Sequence, residues 1–117
     1  MKSILAIILL FIPILTEDST VFRLVKVTGT TGNYQITGEL NPASKEFFYT
    51  VEDGHNELVK EERVLLKGKE EKWRQFSLKI QIPREKLPGN GSLILHLYEK
   101  DKSGEIQNSF PMLLERF

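Results

Sequence analysis

The chain reads as an all-β protein, an antiparallel sandwich of about seven short strands behind an N-terminal signal segment. Three observations predict it. From Val21 onward, apolar and polar residues alternate with the period of a half-buried strand. Clusters of Gly, Pro, Asn and Asp interrupt these runs at regular spacing. No long helical stripe appears anywhere in the 117 residues, which suffice for one domain.

Residues 1–15 read MKSILAIILLFIPIL, with one Lys before a run, 4–15, that is apolar throughout. A basic start, an apolar stretch and a polar exit (TEDST) describe a secretory signal peptide or N-terminal anchor over residues 1–20. As a helix the apolar run spans about 18 Å, short of the ~30 Å hydrocarbon core. Membrane contact is therefore expected only through this segment, and the protein is expected outside the cytoplasm, secreted or held at the cell envelope. The cleavage site lacks an A-x-A pattern.

Residues 21–117 form the predicted domain. Residues 21–28 (VFRLVKVT) are β-rich and end at Gly29 and a TTGN turn. In residues 34–40, Tyr34, Ile36 and Leu40 share one face with Gly38, and Asn41-Pro42 closes the strand. Residues 47–53 (FFYTVED) make a strand with Phe47, Tyr49 and Val51 on one face. It runs into Asp53-Gly54, a two-residue hairpin signal, with the turn extending through Asn56. Residues 57–66 suit helix or strand by composition; the tight turn before them favours a hairpin partner with an irregular middle at residues 60–62.

Residues 67–72 are a charged connection. Residues 73–82 (WRQFSLKIQI) alternate most cleanly, with Trp73 off phase and placed at a sheet edge or drawn in by a bulge. Residues 84–91 form a loop with room for one helical turn, and Leu87 is expected to plug the core. Residues 92–100 alternate again, Leu93, Leu95 and Leu97 inward, and residues 105–114 supply the last strand, with Pro111 on an edge. Seven such strands favour an immunoglobulin-like sandwich; a small barrel is the alternative.

Charge and composition exclude several functions. Basic and acidic residues balance at 16 each, and no basic stripe appears, so nucleic acid is not an expected partner. There is no cysteine, hence no disulfide, thiolate metal site, cysteine nucleophile or lipid-anchor cysteine. His55 and His96 are the only histidines. His55 with Asp53 and Glu57 offers too few converging ligands for zinc, and turn geometry explains those residues better. No serine has a legible His–acid partner. The acids Glu61, Glu62, Glu70 and Glu71 read as a solvated charged hairpin. Asn90-Gly91-Ser92 fits a glycosylation sequon, but Asn-Gly is turn chemistry. No catalytic residue, metal or cofactor is expected. One candidate binding surface remains. Ile94, His96 and Tyr98 share the outer face of their strand, as a ligand stripe or as ordinary cross-strand pairs.

The segments FRLVKVTG, VEDGH, Trp73 with Phe76, and GNGSLILHLYEKD together resemble the immunoglobulin-like domain of bacterial spore-germination proteins. Val51, Asp53, Gly54, Trp73, Phe76, Gly91, Leu93, Leu95, Glu99, Ser103 and Gly104 match positions of that pattern, and the likeness covers residues 21–114. It implies an exported, envelope-associated module of Gram-positive bacteria without catalytic residues. The expected function is a non-enzymatic binding or accessory module acting on an envelope protein or cell-wall component. The alternative is a small secreted proteinase inhibitor or carrier using the loop at residues 84–91.

Overall fold

The computed structural model describes residues 21–42, 45–67 and 72–117; the signal segment expected at residues 1–20 lies outside them. The seven strands are β1 (Phe22–Thr30), β2 (Asn33–Leu40), β3 (Glu46–Glu52), β4 (Glu57–Leu65), β5 (Arg74–Gln81), β6 (Ser92–Lys100) and β7 (Ile106–Arg116). They form two antiparallel sheets, a three-stranded one ordered β1-β2-β5 and a four-stranded one ordered β4-β3-β6-β7. This is the immunoglobulin-like sandwich with its fourth strand on the sheet of the third, rather than beside the fifth.

The alternation in the sequence fixes what each sheet buries. Tyr34, Ile36 and Leu40 of β2, Phe76, Leu78 and Ile80 of β5, and Leu93, Leu95 and Leu97 of β6 all point inward and are buried. Phe47 sits at the centre with its ring 5.7 Å from that of Phe22 and 5.0 Å from that of Phe76. Gly38 lies on the inner face, where a Cβ would stand 2.8 Å from the Phe76 ring. The glycine therefore makes room for the aromatic cluster. Leu87 packs against the core, as the sequence suggests, just after a 3-10 turn at Arg84–Lys86.

Two strand ends differ from the sequence reading. β1 does not end at Gly29; it runs through Thr30, and the hairpin turns on Thr31 and Gly32 alone, at φ 53° and 91°. Positive φ at both central residues is the twist-matched two-residue turn. A Cβ on Gly32 would meet the Ile82 carbonyl oxygen at 2.4 Å. After β3 the reverse holds. The turn through Asn56 is where the sequence puts it, but the strand stops one residue short of Asp53, because Glu52 pairs with Glu57 and residues 53–56 form the loop. The cause is the Asp53 side chain, whose Oδ1 accepts from the His55 and Asn56 amides at 2.9 and 2.7 Å. That cap stabilises a wider turn than Asp-Gly alone requires.

Bulges occupy three of the four sheet edges. β1 gains a residue between Arg23 and Lys26, where Leu24 has φ 55°. β4 gains residues at two places opposite Tyr49–Glu52, matching the irregular middle expected there. β7 gains one near Leu114 and one at Asn108–Ser109, with Asn108 at φ 56°. Only β5 pairs with its neighbour through eight consecutive positions without a shift.

Candidate functional site

The outer face of the four-stranded sheet carries the three residues singled out from the sequence. Tyr98 is buried, while Ile94 and His96 are half-buried. Their cross-strand neighbours on β3 are Phe48, Glu52 and Thr50 respectively. The Tyr98 ring stacks on Phe48 with centroids 5.9 Å apart, and the Lys100 ammonium lies 4.8 Å above Phe48. Tyr98 donates its hydroxyl hydrogen to Glu61, and Lys100 Nζ donates to the other Glu61 oxygen at 2.5 Å. His96 Nε2 meets Glu52 Oε2 at 2.9 Å, and the second Glu52 oxygen accepts from the Gly54 amide. Further out, Arg63 Nε pairs with Glu46 at 2.7 Å.

These contacts shift the titrating groups in consistent directions. Burial, followed by the neighbouring Glu61 carboxylate, pushes the Tyr98 phenol up. The hydrogen bonds from Lys100 and Tyr98 hold Glu61 below its usual range, and the His96 contact does the same for Glu52. A depression of about 390 Å³ touches Glu57, Glu61, His96 and Tyr98. Of its lining, Glu61, His96 and Tyr98 are already paired within the protein.

The outer face of the three-stranded sheet is built from other material. Rows of hydrogen-bonding groups, each with one lysine, cross it: Thr28, Gln35 and Lys79 in one and Lys26, Thr37 and Ser77 in another. Gln35 Nε2 reaches Ser77 Oγ at 3.2 Å. Arg23 bonds Glu39 at 2.7 Å and lies 3.7 Å above the Trp73 ring, so Trp73 ends this face rather than entering the core. Lys26 and Lys79 form no ion pair among the described residues. Two shallow depressions of about 480 and 320 Å³ follow one another along the face.

Leu24 stands at the rim of the larger depression, 64% exposed. Left-handed backbone costs a non-glycine residue roughly 1–2 kcal/mol, and an exposed leucine recovers little of that by burial. Nothing in the sequence pattern marks the bulge that places it there.

The remaining candidates resolve into structure. His55 is exposed in the 53–56 turn, with its amide on Asp53. No cluster of His, Asp and Glu among the described residues has the makings of a metal site. At one end of the sandwich Glu115 accepts from the Tyr34 hydroxyl at 2.6 Å and the Thr31 amide at 2.8 Å, and Tyr34 in turn accepts from the Gly32 amide. This clasp ties the β1–β2 turn to β7 and raises the Tyr34 phenol, chiefly by burial, to about 12. No family model, no curated protein and no solved structure matches the chain.

Proposed function

We propose that the protein is a non-enzymatic exported binding or accessory module at the bacterial cell envelope, and that it presents the outer face of the β1-β2-β5 sheet to a cell-wall component. One observation carries this reading. That face presents amides and hydroxyls, two lysines without ion pairs among the described residues and a strained exposed leucine along two successive shallow depressions. Backbone strain held at an exposed apolar side chain is characteristic of contact sites. The face's chemistry suits a hydroxyl-rich polymer bearing scattered anionic groups. The N-terminal segment supports export, and the resemblance to the spore-germination domain supports a link to sporulation or germination.

Cosedimentation of the purified protein with isolated cell walls tests the reading. The expected result is retention that weakens on Leu24→Ser and on Lys26→Gln with Lys79→Gln, with no hydrolysis of the wall. Absence of retention, or retention that depends on His96 instead, overturns it. Titration of proteinases with the same protein tests the inhibitor alternative, which stoichiometric loss of proteinase activity would establish.

A further inference from the structure

We infer that β5 is an association edge, at which a second copy of this chain adds its own β5 antiparallel to make a continuous six-stranded sheet. The four edges of the sandwich are not alike. β1, β4 and β7 carry bulges, β7 carries Pro111, and β4 has five charged residues in nine. Each device obstructs pairing with another strand. β5 has none of them. It is straight through Arg74–Gln81, contains no Gly or Pro, and has Lys79 as its one outward-facing charge.

The hydrogen-bond phase of the sheet shows which groups that edge offers. Ile82 donates to the Gly32 carbonyl, in the same register that pairs β5 with β2. Even-numbered residues of β5 therefore turn their backbone groups toward β2. Asn41 donates to Val21 on the opposite side of β2, which fits the same phase. The odd-numbered residues Gln75, Ser77, Lys79 and Gln81 then turn their N–H and C=O groups outward. No described strand covers them.

A second copy matches this edge in charge and in phase. With a two-fold axis at Leu78, Gln75 faces Gln81 of the other copy and Ser77 faces Lys79, so every outward backbone group finds a partner. No cation meets a cation. Phe76 and Ile80, both buried and inward-facing, would align across the junction and extend the inner apolar face. The axis is perpendicular to the sheet, so both grooved outer faces point the same way.

Sedimentation of the full chain across a concentration series, with hydrogen exchange followed at individual amides, tests the inference. The expected result is a reversible dimer in which the Ser77 and Lys79 amides become protected as it forms. Ser77→Pro removes an outward N–H and no bond to β2, so it should abolish the dimer and leave the monomer folded. Ser77→Lys sets like charges across the axis and should weaken association roughly tenfold, while Ser77→Glu, facing Lys79, should tighten it. A monomer at all concentrations, a dimer with unprotected Ser77 and Lys79 amides, or charge variants acting in the opposite sense would each overturn it.

Discussion

The two outer faces of this sandwich spend their polar side chains in opposite ways. On the four-stranded sheet, Glu52, Glu61, His96, Tyr98 and Lys100 satisfy one another over a stacked aromatic pair. On the three-stranded sheet, amides, hydroxyls and two lysines face solvent, and the Arg23–Glu39 ion pair sits at one end. The paired side chains of the first face stabilise the fold; on the second, Lys26 and Lys79 stay without ion pairs among the described residues, which is what the proposed binding role asks of them. Charge density alone is therefore a poor guide to a binding surface, because charges at cross-strand spacing tend to find each other first.

The largest effect expected from breaking this contrast is Tyr98→Ala. It empties a buried site and leaves Glu61 with Lys100 alone, and should cost about 3 kcal/mol in urea unfolding. Gln75→Ala on the other face should stay within about 0.5 kcal/mol. If the two variants lose similar stability, the assignment of structural and binding faces fails. Next in size is Leu24→Gly. Relief of the left-handed strain should raise stability by up to about 1 kcal/mol while weakening retention by cell walls.

Smaller effects come from pH. Glu52 and Glu61 titrate below their ordinary value near 4.5. Folded-state values depressed in this way give stability that is present above the unfolded value and lost as pH falls through the folded one. Acid unfolding should therefore steepen below pH 4.5, and Glu61→Gln should flatten part of that limb. The sign reverses for Tyr34, raised from 10.0 to about 12. Its contribution is complete below pH 10 and is lost as pH rises toward 12, so Tyr34→Phe should flatten the alkaline limb. Smallest is Glu39→Gln, which breaks an exposed pair with Arg23 and should change stability by no more than about 0.5 kcal/mol.

Much of this fold was legible because β2, β5 and β6 alternate without interruption, so period alone separates core from surface. The site was less so. Tyr98 meets Glu61 across the intervening β3, a diagonal contact that the alternation of one strand does not reveal. Leu24 looks like one apolar residue among several in FRLVKV, and only the bulge turns it outward. The turn through Asn56 was legible, and only the end of its strand was off by one, because the Asp53 side chain takes the amides that follow and draws Asp53 into the loop. The last two misses arise where a side-chain hydrogen bond or an inserted residue overrides strict alternation.

The Tyr34–Glu115 clasp has a consequence for the rate at which the molecule comes apart. It joins residues 81 apart in sequence and lies between strands of different sheets. It has no meaning until both hairpins have formed and the sheets have docked, so it should be absent from the folding transition state. Interactions of that kind leave refolding speed untouched and slow unfolding. For a domain without a single disulfide, a late-closing latch of this sort is one means of kinetic persistence, which depends on how seldom the chain opens.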